Sequence, residues 1–198
     1  MDAPLEDRRD VLAAQRGDRA AFARLVERYT RRLHDLARRM LRDPHEAEDV
    51  VQQAFLNAWQ ALDRFDTERP FRNWMLRIAS NLCRNRLAAR GRRKELRPRG
   101  GEDVLPDVEA PLEVAAGEAL MGPERVRRAI EALPDRYRLP VILHYVQDLP
   151  LKDVSAITGA PVATVKTWLH RGRAALQALL KPPETSGSAP GTTPGSDA

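Results

Sequence analysis

The sequence predicts an all-α protein of two small helical domains joined by a flexible acidic linker. Apolar residues recur with a 3.6-residue period almost from end to end, and strand signals are nearly absent. Charge also changes sign abruptly: residues 71–99 carry ten basic residues and one acid, and residues 100–120 carry six acids and no base. That acidic stretch holds Pro106, Pro111 and three glycines, the composition of a linker. The expected divisions are an N-terminal segment (1–17), a first domain (18–95), the linker (96–120), a second domain (121–181) and a tail (182–198). The tail is rich in Pro, Gly, Ser and Thr and is expected to be disordered.

The elements follow in order. Asp18, after Gly17, is expected to cap a long helix whose apolar positions are Phe22, Leu25, Val26, Tyr29, Leu33, Leu36, Ala37 and Met40. In "RDPHEAED", Asp43 supplies a cap, Pro44 the first helical position and Glu46 an acid in the first turn of a second helix reaching about Leu62. The polar loop "DRFDTERP" follows, then a third helix from Phe71 to Arg90 that ends near Gly91.

The second domain opens with the short helix "PERVRRAIEAL". In "PDRYRLPVILHYVQD", Pro140 is expected to start or kink a helix. "LPLKDVSAITG" places Leu151, Val154 and Ile157 on one face and stops at Gly159. After the turn "GAPV", Val162, Val165, Leu169, Gly172, Leu176 and Leu179 fall on one stripe of a last helix, whose outer face is small, polar and cationic. Two short helices joined through a Gly-containing turn, the second basic, form the helix-turn-helix pattern.

Composition narrows the function classes. A net charge of +5 and a pI near 9.9 favour an anionic partner, and only four of the 33 Lys and Arg residues are lysine. Cys83 stands alone, which rules out an intrachain disulfide or a cysteine-based zinc site. No apolar run approaches the roughly 20 residues of a membrane span, and "MDAPLEDRRD" has no signal-peptide core. A cytoplasmic protein without membrane insertion, cofactor or small-molecule substrate is expected. His34, Asp35, His45, Glu46, Glu48 and Asp49 include one i, i+4 pair, His45 and Asp49, but no second ligand cluster accompanies it, so neither a catalytic nor a metal site is expected.

Four segments in order, "AEDVVQQAFLNAW", "PFRNWMLRIASNLCRNRL", "LPDRYRLPVILHYVQDLPLKDVSAITG" and "ATVKTWLHRGRAAL", resemble the extracytoplasmic-function type of bacterial sigma factor, a branch of the sigma-70 family. The likeness covers about residues 11–95 and 120–180. It implies a region 2 helical bundle followed by a region 4 helix-turn-helix. The implied partners are core RNA polymerase, through its largest-subunit clamp helices and its flap, together with promoter DNA. An anti-sigma factor is a further partner common in this family.

The resemblance also implies site residues. Asp49, Gln52 and Gln53, with Phe55 and Trp59 beside them, match the polymerase-docking positions, while Ala47, Val50, Ala54, Ala58 and Ala61 form the inner stripe of that helix. Gln53 stands where the family more often has Glu. Phe65, Asp66, Thr67 and Glu68 would border a pocket for an extruded −10 base, with Asn81 at a family contact position and Arg84, Asn85, Arg86 and Arg90 suited to the strand and its phosphates. Trp74, Leu76, Ile78 and Leu82 are assigned to the core, and Cys83 to packing. In the last helix, Thr164, Lys166, Thr167 and His170 would lie near −35 base edges, with Arg171 and Arg173 on phosphate.

Two departures from the family stand there: Pro161 replaces a capping serine, so the helix start relies on proline at the first helical position. Trp168 replaces a frequent arginine, and either packs inward or changes the sequence read.

The expected function is that of a dissociable promoter-specificity subunit, not an enzyme, which directs core polymerase to promoters and promotes melting. The acidic linker would thread through the enzyme's basic cleft. The rival reading is a conventional helix-turn-helix regulator that binds its operator unaided, which leaves the whole first domain unexplained.

Overall fold

The structure is a computed structural model and describes residues 5–95 and 122–181. The linker and the tail read from the sequence lie outside the described residues. Eight α-helices are described: α1 (Leu5–Gln15), α2 (Arg19–Leu41), α3 (Pro44–Ala61), α4 (Phe71–Glu95), α5 (Pro123–Ala132), α6 (Asp135–Val141), α7 (Leu151–Thr158) and α8 (Val162–Leu180). A 3-10 turn, Leu62–Arg64, follows α3, and a wider π turn, Ile142–Val146, continues α6.

Local chemistry sets most of the boundaries. Asp18 caps α2 by accepting from the N–H groups of Ala20 and Ala21, at 2.9 and 3.1 Å. Asp43 does the same for α3 through His45 and Glu46, and these N–H groups, that of Glu46 foremost, hold its carboxyl below the usual range. The third helix runs through Gly91 to Glu95, further than its sequence suggests: Gly91 is helical and exposed rather than a stop. Pro140 lies inside α6 without ending it. It has no N–H for the i−4 bond, and the ladder widens just beyond, where the Gln147 N–H reaches the Ile142 carbonyl at 2.9 Å. Gly159, with φ of 75°, closes α7, and its N–H bonds the Ser155 carbonyl at 2.9 Å. Pro161 is the residue before α8 rather than its first helical residue, at φ −56° and ψ 147°, and its carbonyl accepts the first bond from Val165.

Helices α1–α4 enclose one core, in which Leu25, Leu33, Leu36, Met40, Phe71, Met75 and Leu76 are fully buried. The N-terminal segment carries no element in the sequence reading, but α1 packs into this core with Val11 and Ala14. Its inward face also carries Asp7 and Asp10, both fully buried. Arg24 donates two bonds to Asp10 at 3.0 and 2.8 Å, Arg28 pairs with Asp7 at 2.6 Å and Asp10 at 3.1 Å, and the Tyr29 phenol donates to Asp7. A face lined with acids has no apolar period, which is why the pattern of α1 is invisible in sequence.

Helices α5–α8 form the second bundle around Leu133, Ile142, Leu143, Val154 and Val165. Gly172 lets α8 approach α6 closely: a Cβ there would lie 2.8 Å from Val141 Cγ2. The two bundles meet where α7 packs on α4. Arg138, only 4 % exposed, donates across the boundary to the Met40 carbonyl at 3.1 Å.

Candidate polymerase and nucleic-acid interfaces

Helix α3 buries Ala47, Val50, Val51, Ala54, Phe55 and Ala58 and turns Asp49, Gln52, Gln53 and Gln60 to solvent. Ala61 is half-buried. Asp49 is held loosely by Arg86 at 3.4 Å, and Gln53 donates to Asn57 at 2.8 Å. The two aromatic residues of this helix differ. Phe55 is 8 % exposed and meets Phe22 edge-on at 6.5 Å, so it belongs to the core and not to an outward docking face. Trp59 also leans on Phe22, at 4.8 Å, yet keeps 39 % of its surface exposed. Leu56, 56 % exposed, shares the outward face with Gln52, Gln53 and Gln60 and extends it with apolar surface. Sequence reasoning missed it; a leucine on an otherwise polar stripe is the signal that would have found it.

The loop after α3 is positioned from both sides. The Gln15 amide of α1 donates to the carbonyls of Leu62 and Phe65 at 2.9 and 3.0 Å, and Arg8 pairs with Glu68. Asp66 accepts from the Glu68 N–H at 3.0 Å and pairs with Arg69 at 3.3 Å. Asp66 and Glu68 are exposed and Thr67 is half-buried. Phe65 is not at a pocket edge: it is 9 % exposed, stacks on Trp74 at 4.5 Å and meets Phe71 edge-on at 5.6 Å. Such aromatic pairs contribute about 0.5–1.5 kcal/mol each beyond area burial. They hold the loop against the first turn of α4, with Trp74 half-buried.

The arginines of α4 separate into two groups. Arg86 donates to the Glu46 carbonyl at 3.0 Å, and Arg90 donates to the Leu41 carbonyl at 3.0 Å and pairs with Glu46 at 2.6 Å. Both therefore staple α4 to the α2–α3 corner, contrary to the expectation that they face the strand. Asn81, Arg84 and Asn85 are exposed. The Arg84 guanidinium donates to the Asn81 side chain and to the Thr158 carbonyl of the second domain at 3.3 Å. Buried Cys83 has its thiol pushed up to about 12 by burial, so it is protonated and inert at neutral pH.

On α8, Lys166, Thr167, His170, Arg171 and Arg173 are all exposed, and Thr164 is half-buried. The Thr167 hydroxyl donates to the Ala163 carbonyl at 3.1 Å. The choice left open for Trp168 is resolved: it packs inward. It lines a cleft of about 340 Å³ with Met40, Leu87, Leu139 and Pro140, where the two domains meet. Val162, read as part of the buried stripe, is 39 % exposed at the first position of α8. Among the described residues, no three His, Cys, Asp or Glu side chains converge, and no helix is long and apolar enough to cross a membrane.

These surfaces coincide with known sequence families. Residues 25–93 match Sigma-70 region 2, and residues 124–176 match Sigma-70, region 4. The chain is 35% identical to the ECF RNA polymerase sigma factor SigW of Bacillus subtilis over 191 residues, covering 86% of this chain and 95% of that protein. It is 34% identical to the ECF RNA polymerase sigma-E factor of Escherichia coli, covering 92% and 98%. Among solved structures, CnrH in complex with the cytosolic domain of CnrY aligns with a TM-score of 0.65 at 30% identity, over 88% of this chain and 97% of that one. The fold of RpoE from Bartonella quintana, solved with the anti-sigma factor NepR, aligns at 0.64 and 24% identity, over 80% and 96%. With both region models in order and near-complete coverage of its relatives, the chain belongs to the extracytoplasmic-function group of the sigma-70 family of RNA polymerase sigma factors.

Proposed function

We propose that this sigma factor engages core polymerase through the outward face of α3 and reads promoters with two further, separate surfaces. Asp49, Gln52 and Gln53, joined by Leu56 and Trp59, dock on the clamp helices of the largest subunit. The loop at Asp66–Glu68, with Asn81, Arg84 and Asn85, receives the −10 strand. The basic face of α8 enters the −35 major groove, with Thr164, Lys166, Thr167 and His170 near base edges and Arg171 and Arg173 on phosphate. Residues 18–95 and 121–181 act as the two reading domains, with 1–17 supporting the first. The protein works in the cytoplasm, and polymerase supplies the chemistry. An anti-sigma factor, a partner common in this family, is a further partner of this reading.

The observation that carries this reading is the coexistence on one chain of three exposed faces: the basic face of α8, the mixed-charge face of the loop and α4, and, third, the polar and apolar face of α3. A regulator that binds an operator unaided has no use for the third. Elements centred at −10 and −35 lie roughly 85 Å apart at about 3.4 Å per base pair. The two domains must therefore part, with polymerase fixing their spacing. Run-off transcription with purified core polymerase on genomic fragments tests this: promoter-specific transcripts are expected only when both are present. A tight, sequence-specific gel shift without polymerase would instead favour the conventional regulator.

A further inference from the structure

The first helix meets the loop after α3 through one side chain above all. Gln15 is the last residue of α1 and is half-buried. Its amide Nε2 donates to the Leu62 carbonyl at 2.9 Å and to the Phe65 carbonyl at 3.0 Å, so both of its N–H bonds are used. These carbonyls flank the 3-10 turn Leu62–Arg64, which the Phe65 N–H closes on the Leu62 carbonyl at 3.0 Å. The amide therefore clips the turn just before the chain enters Asp66. Gln15 is itself held in place. Asp7 and Asp10 anchor α1 against Arg24, Arg28 and Tyr29, and the N–H groups of Gly17 and Asp18 fold back onto the carbonyls of Ala14 and Ala13 at 2.9 and 3.1 Å.

Beyond this clip lies a small self-contained turn. The Asp66 side chain accepts from the Glu68 N–H, and the Arg69 N–H donates to the Asp66 carbonyl at 3.0 Å. These bonds set the shape of the turn and leave its placement open. Phe65 supplies one support by stacking on Trp74 of α4. Among the described residues, hydrogen bonds from residues 65–69 to an element distant in sequence come from α1 alone, through Gln15 and Arg8. Arg8 and Glu68 are both exposed, and such surface pairs contribute little. Gln15 differs. Without it the Leu62 carbonyl keeps the Phe65 N–H, but the Phe65 carbonyl loses its donor in a part-buried position. That carbonyl shares a rigid peptide plane with the Asp66 N–H, so turning it towards water turns the start of the loop with it.

We propose that Gln15 is a positioning residue for −10 recognition: from α1, outside the reading surfaces, its amide fixes the angle at which the Asp66–Glu68 loop is presented to the extruded base. The proposal rests on the −10 reading above. It gives α1 a part in promoter choice beside its part in the core. The −35 surface belongs to the other bundle and does not depend on these bonds.

The test uses holoenzyme built from the full chain and two promoter libraries, one varied in the −10 element and one in the −35 element. Gln15→Met keeps the length of the side chain and removes the donor. It should lower discrimination at the loop-read −10 base by roughly five-fold, the factor that one ordinary hydrogen bond represents, and leave the −35 preference as in the wild type. Gln15→Glu sets an acceptor against the two carbonyls and should lower it at least as far. A residue that only filled space would tolerate the methionine. A wild-type −10 profile in Gln15→Met, shown by circular dichroism to be folded, overturns the proposal, as does an equal change in both libraries. If Gln15→Met does not fold, Gln15→Asn, whose amide stops one methylene short of the carbonyls, replaces it in the same test. Thr67→Ala tests the −10 reading separately. A shifted −10 preference in Thr67→Ala alone keeps the reading and removes the positioning role; a shift in Gln15→Met alone keeps that role and takes Thr67 out of the reader; no shift in either removes both.

Discussion

The guanidinium of Arg138, buried in the second domain, donates to the Met40 carbonyl in the last turn of α2 at 3.1 Å. It also donates to the Leu133 carbonyl at 2.5 Å and pairs with Asp135 at 2.8 Å, while its Nε has no partner. Carbonyls at a helix end lack intrahelical donors, so this side chain satisfies one helix of the first domain and one of the second. Arg138→Ala leaves both acceptors unpaired. Its expected cost is about 1–3 kcal/mol in urea unfolding, with a larger radius of gyration by small-angle scattering as the domains separate. Wild-type stability and compactness would show that the bond contributes nothing.

The approach of α8 to α6 depends on a missing side chain. Gly172→Ala places a methyl 2.8 Å from Val141 Cγ2 and should destabilise the second domain by about 1–3 kcal/mol. Val141→Ala in the same chain should recover part of the loss, because it removes the opposing methyl. Thermal unfolding of the two single variants and the double variant measures the coupling.

The acids beneath α1 make its attachment sensitive to acid. The Arg24 guanidinium, bonded to the buried Asp10 carboxylate, together with Arg28 holds that carboxyl below its usual range. A carboxyl with a lower pKa in the folded state stabilises it fully above the unfolded value, near 3.8, and loses that contribution as pH falls through the folded value. Unfolding followed from pH 6 to 2 should show this loss at the acid end. Asp10→Asn should lower stability at pH 6 and make the curve shallower below pH 4.

Asp49→Ala with Gln52→Ala should weaken holoenzyme assembly while leaving unfolding nearly unchanged. Asp49 meets Arg86 only at an exposed 3.4 Å contact, and such pairs are worth about 0–1 kcal/mol. Leu56→Asp, on the same face, should weaken assembly further. A pull-down with core polymerase reads both, and unimpaired capture of every variant would move the docking surface elsewhere.

On α8, Lys166→Ala or Thr167→Ala should change preference at particular −35 bases, each good base contact being worth about 1–3 kcal/mol of discrimination. Arg171→Ala or Arg173→Ala should weaken all −35 sequences alike and reduce the salt slope by about one per lost phosphate contact. A −35 library transcribed at two salt concentrations separates these classes. Because Trp168 packs against the domain boundary, Trp168→Arg should destabilise the chain without creating a new base preference.

Sequence alone determined the helix boundaries that local chemistry controls. Asp43 and Pro44 start α3, Gly159 in the left-handed region stops α7, and the spacing of Val165, Leu169 and Gly172 marks the buried face of α8. The family motifs likewise lie in the linear order of residues. Only the tertiary structure decided which polar and aromatic groups remain free to bind anything. Arg84 and Arg86 are two residues apart on one basic helix, yet Arg86 reaches the Glu46 carbonyl in α3 and Arg84 the Thr158 carbonyl in α7. Phe55 and Trp59 sit one turn apart on α3, and only the tryptophan keeps a broad exposed edge. Asp7 and Asp10 are buried because Arg24, Arg28 and Tyr29, from another helix, close over them. Periodicity reports that a helix has an inside. Which side chain finds a carbonyl, a ring or a counter-charge depends on how helices far apart in sequence cross, and the crossing is set by packing of the whole core.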